Sequence, residues 1–250
     1  MHACEQLYAD VMGLRAEDGS INPRLLIALQ HNGGYVIGSF LDRRVVGFAY
    51  SFLGSDRSRE VGGDLYQYSQ LAVVAQAMQG KGIGRLLKLK QRERCLADGI
   101  GHMKWAYDPL LTRNGHFNLD VLGARVVAFV PAMYGGSGFG TYTGDATDRF
   151  IVEWVLKSET SRPVDGSPPP GHWSPGMCFQ DGDDLLIAVP GQWDRLRDEV
   201  GFTAAADIRL ELQRAFTHAL DTGRVGVSCQ ASDQGMALYR FAFPASMCDR

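Results

Sequence analysis

Between Leu71 and Arg94 the chain passes from an apolar run, Leu71-Ala72-Val73-Val74, through a glycine-rich turn into a helix-forming run, Leu86 to Arg94. The turn reads Gln79-Gly80-Lys81-Gly82-Ile83-Gly84-Arg85. This order predicts strand, loop, helix. Such a loop aims several backbone N–H groups at one point, and the start of the helix adds partial positive charge there. Glycine has no Cβ, so a ligand can come close to the backbone. Lys81 and Arg85 add full charges. The combination suits a phosphate or pyrophosphate.

Two common phosphate loops do not fit. A P-loop requires four residues between its glycines and then Gly-Lys-Ser/Thr, and no Ser or Thr follows Gly82. The dinucleotide pattern G-x-G-x-x-G requires glycine where Arg85 stands. What remains is Q-x-x-G-x-G, carried by Gln79, Gly82 and Gly84. A plain strand-to-helix turn also uses glycines for packing, but the apolar run before the loop and the pattern after it favour a ligand loop.

Bulk properties narrow the partners. A net charge of −3 over 250 residues gives no basic field for nucleic acid. The five cysteines, Cys4, Cys95, Cys178, Cys229 and Cys248, are scattered without C-x-x-C or metal-ligand spacing, so no metal is expected and free thiols in a reducing compartment are. No apolar stretch approaches the length of a membrane span, and Glu5 and Asp10 interrupt any leader-like core. A cytoplasmic protein with no membrane partner is expected.

In chain order, helices are predicted over residues 1–13 and from Pro23 to Gln30, then a hairpin of Tyr35–Leu41 and Val45–Leu53 joined by Asp42-Arg43-Arg44. A polar loop follows over 55–64. The next strand is Leu65–Val74, with Tyr66 and Tyr68 alternating against Gln67 and Ser69. The helix after the loop should stop at Gly99, burying Leu86, Leu87, Leu89 and Leu96. Further strands are expected at Gly101–Tyr107, Ala124–Tyr134 and Arg149–Leu156, with a short helix ending near Gly123 and a glycine-rich turn over 135–144. Residues 158–176, with Pro163, Pro168, Pro169, Pro170 and Pro175, read as a linker. Beyond them come a strand at Leu185–Val189, an amphipathic helix from Ala204 to Leu220 and strands at Val225–Cys229 and Met236–Phe243.

The loop and the order of elements resemble the GNAT N-acyltransferase superfamily over residues 1–157. A narrower resemblance rests on Asp108-Pro109, Arg113-Asn114, Phe117-Asn118, Leu122-Gly123, Met133-Tyr134-Gly135, Thr147-Asp148-Arg149 and Glu153-Trp154. It points to a branch associated with N-acylamino acid racemases that carries a similar C-terminal extension. The resemblance implies an α/β (α+β) fold: a central mixed, mostly antiparallel sheet flanked by helices. It divides the chain into an acyl-CoA-binding domain (1–157), a Pro/Gly-rich linker (158–176) and a small αβ extension (177–250) packed on the first domain.

The resemblance also implies roles. Acetyl-CoA or another acyl-CoA is the co-substrate, and an acetyl or succinyl-type group moves to the amine of a small molecule, an amino acid being one candidate. Gln79, Gly80, Lys81, Gly82, Ile83, Gly84 and Arg85 hold the pyrophosphate. The main chain of Ala72, Val73 and Val74 pairs with the pantetheine arm, and Asn114 completes the cofactor set. Tyr68, Asp108 and Arg113 contact the substrate, Arg113 as a partner for a carboxylate. The chain departs from the family at Gln76-Ala77, where Pro-Glu is common, and at Val121, where many members carry the tyrosine that protonates the leaving thiolate. Tyr134 is the replacement expected here. The base that deprotonates the amine is left among Tyr68, Asp108, His116 and Tyr134. A protein acceptor, or a non-catalytic acyl-CoA sensor, are the alternatives, and an oligomer is left open.

Overall fold

The computed structural model describes residues 1–14, 20–56, 65–135, 147–157, 171–232 and 235–244. Most of the expected loop at 55–64, the glycine-rich turn after Gly135, the linker before Gly171 and Cys248 lie outside them. Among the described residues the chain forms two compact units, one of residues 1–105, 134–135 and 155–157, the other of 106–133, 147–154 and the segments from 171 onward.

The first unit is a mixed sheet of four strands in the order β1-β2-β3-β4: β1 Tyr35–Leu41, β2 Arg44–Ser55, β3 Leu65–Val74 and β4 His102–Tyr107, the last belonging here as far as Trp105. β1, β2 and β3 are antiparallel, and β4 runs parallel to β3. The β1–β2 connection is a two-residue turn, with Leu41 facing Arg44 and both Asp42 and Arg43 at positive φ, as the twist of a tight hairpin requires.

Helices cover both faces of this sheet. α1 (His2–Met12) and α2 (Pro23–His31) pack through Cys4, Leu7 and Leu26 on Phe48 and Val73. α2 starts where Pro23 fits the first helical position and the Asn22 side chain accepts from the Arg24 N–H. α3 (Ile83–Ala97) packs on the opposite face, where Ile83 and Leu87 meet Ala49 and Val74.

Its buried stripe departs from the expectation built on leucines. Ile83, Leu87, Lys88, Gln91 and Cys95 are buried, whereas Leu86 is 60% exposed. Leu86 falls outside the arc that faces the sheet, and Lys88 and Gln91 fall within it because Ser69 waits there as a partner. Lys88 Nζ donates to Ser69 Oγ at 2.9 Å, and Ser69 Oγ donates to Gln91 Oε1 at 3.0 Å.

Ser69 reaches α3 because β3 carries a bulge. Tyr50 pairs with Leu71 but Ser51 pairs with Ser69, so Gln70 is an extra residue. The side-chain alternation flips there. Val73 therefore points to α1 and α2, while Ser69, an even number of residues away, points to α3. The buried members of the Tyr66–Ser69 alternation are Gln67 and Ser69, and the tyrosines are half-buried.

The second unit is antiparallel in every registered pair. Its strands are β5 (Arg125–Val130), β6 (Arg149–Val155, in this unit as far as Trp154), β7 (Cys178–Asp181), β8 (Asp184–Pro190), β9 (Val225–Ala231) and β10 (Met236–Ala242), in the order β6-β5-β9-β10-β8-β7. α4 (Thr112–His116) continues into a π-type turn over Phe117–Val121, and α5 (Trp193–Val200) precedes α6 (Phe202–Asp221). β7 and α5 were not predicted. Cys178-Phe179-Gln180-Asp181 is too short and too exposed for a period to show, and Trp193 is the only residue of α5 that is fully buried.

α6 buries Leu212 and Phe216 as expected, together with Ala205, Arg209, Ala215 and Ala219. Phe216 joins Phe129, Phe150, Tyr239 and Phe241 in a core of edge-on and tilted rings; Phe150 and Phe216 are 4.7 Å apart between centroids. Gly115 of α4 closes against this core. A Cβ there would collide with the Tyr239 hydroxyl and lie 2.9 Å from Cys229 Sγ. Gly115→Ala is expected to lower stability by about 1–3 kcal/mol through overpacking, read as a lower denaturant midpoint with unchanged slope.

Candidate functional site

The first unit carries an opened strand edge that leads into a turn rich in free donors. β3 and β4 are paired only at Gln67–Met103 and Tyr68–Lys104. Past Tyr68 the β4-side edge of β3 has no registered strand partner among the described residues. Which groups lie on it follows from the other edge. Ala75 N–H bonds Val46 C=O at 2.9 Å, and Val74, Val73 and Ala72 face Gly47, Phe48 and Ala49 in the same register. Donors alternate between the two edges of a strand, so Ala75 and Val73 turn toward β2 and the N–H groups of Ala72 and Val74 turn to the opened edge. The carbonyl of Val74, on that same edge, accepts from Gln79 Nε2 at 3.2 Å.

A 3₁₀ turn over Gln76–Met78 links this edge to the glycine loop. Gly80 (φ +75°) and Gly82 (φ +81°) both take the left-handed conformation that glycine alone adopts without strain. A Cβ at either would point into open space. Gly82 is the N-cap of α3 and supplies no side-chain acceptor, so the first N–H groups of α3 remain uncapped. Among the described residues Lys81 Nζ hydrogen-bonds the Met78 sulfur, at 3.7 Å, and neither Lys81 nor the exposed Arg85 has an ion-pair partner. Open backbone donors, a helix start and two cations without an ion-pair partner among the described residues are groups that a polyanion can bind.

Lys88, one turn further into the same helix, was not singled out in the sequence. It is 4% exposed, and its Nζ lies 3.7 Å from the centroid of the Trp105 ring. Burial pulls its ammonium down to about 7, slightly offset by the negative form of Cys95.

The other expected residues of this unit are Tyr68 and Tyr134. Tyr68 is half-buried, with its ring 5.3 Å from that of Phe52. Tyr134 is about half exposed. The neighbouring Tyr50 has its hydroxyl held up first by burial and then by Tyr8 and Tyr134, so three phenols gather near β2.

In the second unit, Asp108 accepts from Leu110 N–H at 2.8 Å and so caps the turn Asp108–Leu111. It does not cap α4, whose N-cap is Leu111. Burial raises its pKa, and this outweighs the Leu110 bond and the charges of Arg149 and Arg209. Arg113 and Asn114 are exposed on α4, and Arg113 has no ion pair among the described residues. Val121 is exposed.

His116 is tied to Asp120, a residue the sequence reading passed over. The Nδ1 of His116 lies 3.0 Å from Asp120 Oδ2 and 3.2 Å from the Cys229 carbonyl. The spacing of four on a helix was a signal available in the sequence. A cavity of about 520 Å³ lies at the Thr112 end of α4, lined also by Gln192, Arg195, Ser232 and Met236. Among the described residues no group of three His, Cys, Asp or Glu side chains gathers as a metal site, and no helix is long and apolar enough to cross a membrane.

No protein-family model matches the chain, and no curated protein matches its sequence. Solved structures are similar at low identity. Naa20 of Chaetomium thermophilum, solved with a bisubstrate analogue, is 15% identical, with a TM-score of 0.48 over 64% of this chain and 87% of its own. The ribosomal-protein-S18-alanine N-acetyltransferase of Escherichia coli is 12% identical, with a TM-score of 0.47 over 69% of this chain and 92% of its own. The acetyltransferase yncA of Salmonella typhimurium, solved with acetyl-CoA, is 21% identical, with a TM-score of 0.46 over 64% of this chain and 90% of its own.

Proposed function

We propose that this chain is an acyl-CoA-dependent N-acyltransferase of the GNAT type that acts on a small amine. The observation that carries the reading is the opened edge of β3 running into an uncapped, doubly glycine-turned helix start. The edge offers alternate main-chain donors to an extended, amide-bearing chain, and the helix start offers donors to a pyrophosphate. Coenzyme A has both parts in that order. In this reading Ala72 and Val74 take the pantetheine arm, while the Val73 N–H, expected with them, turns to β2 instead; Gln79 through Arg85 take the pyrophosphate and Asn114 completes the cofactor contacts. One freed N–H of β3 polarises the thioester carbonyl and stabilises the oxyanion. Tyr68, Asp108 and Arg113 face the acyl group or the acceptor, and Tyr134 returns a proton to the thiolate.

The domain division at residues 157 and 177 remains part of the proposal. The narrower branch resemblance makes amino acids the first acceptors to try and succinyl-CoA a donor to compare with acetyl-CoA.

Two measurements test the reading. Calorimetry should show CoA binding in the micromolar range, about −8 kcal/mol, with ADP at least tenfold weaker because it lacks the arm. Thiol release from acetyl-CoA or succinyl-CoA should then depend on an added amine. CoA binding no tighter than ADP would overturn the cofactor assignment. Val121 favours a second reading, since valine cannot return a proton: tight CoA binding with no turnover on any amine would make the chain an acyl-CoA sensor.

A further inference from the structure

The first unit has a second unpaired edge, at the far end of its sheet from β4. β1 is the end strand, and among the described residues no strand pairs with its outer side. Leu41 and Arg44 close the two-residue turn as a bonded pair. Counting back by twos, Ser39, Ile37 and Tyr35 also bond β2. The N–H and C=O groups of Phe40, Gly38 and Val36 therefore point to the open side. Edge strands are commonly guarded by charge, proline or a bulge. Val36-Ile37-Gly38-Ser39-Phe40 holds neither charge nor proline. The bulge beside Ser39 puts its extra residue, Val46, on β2 and leaves the outer side of β1 regular.

The same three residues line a groove. Val36 packs with the cluster under α1 and α2, whereas Ile37 packs with the cluster under α3. Side chains alternate along a strand, so Val36, Gly38 and Phe40 share the face that α1 covers. Between them and α1 lies a groove of about 690 Å³, lined also by Cys4, Leu7 and Val45. Phe40 is 66% exposed, and its ring lies over Gly38, where a Cβ would stand 2.9 Å from the ring. Asp10, Arg43 and Arg44 line the groove as well. Asp10 accepts from Gln6 Nε2 at 2.8 Å. Among the described residues Asp10 has no cationic partner, and Arg43 and Arg44 have no anionic one.

We propose that β1 pairs with β1 of a second copy of this chain, antiparallel about a two-fold axis at Gly38. Gly38 then faces the partner's Gly38, and Val36 faces the partner's Phe40. Every outward N–H and C=O of the three residues is bonded across the axis. The two Phe40 rings meet above the paired glycines with no Cβ between them, in reach of an edge-on or offset contact. Each ring also covers the end of the other copy's groove. The charges select a copy over a strongly acidic or strongly basic partner. A two-fold contact presses one patch against itself, so the patch must carry both signs, as Asp10, Arg43 and Arg44 do. The pairing involves the first unit alone and is independent of what the protein catalyses.

The test is sedimentation velocity of the full chain and Phe40→Glu, joined to amide hydrogen exchange of the full chain at low and high concentration. Across roughly 1–100 μM the full chain should pass to twice its mass of 27.4 kDa. Phe40→Glu sets two carboxylates at the axis in place of two rings, and the dimer Kd should rise at least about thirtyfold, the scale of a central aromatic anchor. The amides of Val36, Gly38 and Phe40 should exchange more slowly as concentration rises. The Ile37 amide, bonded to β2, should be slow at every concentration. A chain that stays at monomer mass overturns the pairing. So does a dimer that Phe40→Glu leaves intact, or one in which those three amides exchange at a rate independent of concentration. Protection of the three amides by an added strand-forming peptide, with the chain itself monomeric, would give the edge to a peptide and overturns the pairing too.

Discussion

Replacing Gly82 by Val is expected to weaken CoA binding by at least a hundredfold, about 2.7 kcal/mol. Gly82 sits at φ +81°, and the space its Cβ would enter is open in the protein, so a side chain there occupies the volume assigned to the pyrophosphate. A β-branched residue in the left-handed region also strains the backbone, by roughly 1–2 kcal/mol, and this could lower affinity by weakening the fold. Gly99 provides the control. It lies at φ +76° at the far end of the same helix, with the same open space around its Cβ. Gly99→Val should lose similar stability and keep its CoA affinity. Equal loss of affinity in both variants would remove the loop from the site. Lys81→Ala should cost less than Gly82→Val, because main-chain donors supply most of the cradle.

Replacing Lys88 by Met should stabilise the protein in acid and have little effect in alkali. The folded-state pKa of about 7 lies below the ordinary value of 10.5. Between those values the unfolded chain binds a proton that the folded chain does not, so stability rises with pH across that window. Below pH 7 the full cost is present, roughly 5 kcal/mol from the difference between the two values. The Trp105 face and the Ser69 bond return part of it, on the order of 2 kcal/mol. The net gain in Lys88→Met should be about 2–4 kcal/mol at pH 6 and should vanish near pH 10.5. Denaturant titrations of both proteins at a series of pH values measure this. Parallel curves would mean that the ammonium is as comfortable in the fold as in water.

Much of the fold was readable because its signals are local. Asn22-Pro23 starts a helix, Asp42-Arg43 turns a hairpin and Gly99 stops α3, each by a preference that acts within a few residues. The loop was readable for the same reason, since its glycines and cations are contiguous. Lys88, Ser69 and Gln91 were not, because their partnership depends on Gln70 being an extra residue in β3. A bulge is a property of two strands, and a period counted along one strand passes through it unseen. β7 escaped because four exposed residues carry no amphipathic period. Asp120 escaped for a different reason. Its spacing from His116 was visible, but two of its three partners, Ser228 and Cys229, lie more than a hundred positions away, and only the folded chain brings them to it.

The opened edge of β3 has a consequence in mass action. A ladder that stops at Tyr68 leaves main-chain donors and acceptors to be completed from outside the polypeptide, and in the reading argued above the completing strand is a cofactor. Anything that binds only the folded state adds RT ln(1 + [L]/Kd) to its stability, about 2.7 kcal/mol when the ligand stands at a hundred times its dissociation constant. The working stability of this protein would then follow the size of the acyl-CoA pool. A depleted pool would raise the unfolded fraction about a hundredfold, so that turnover of the chain itself would report on the supply of its co-substrate.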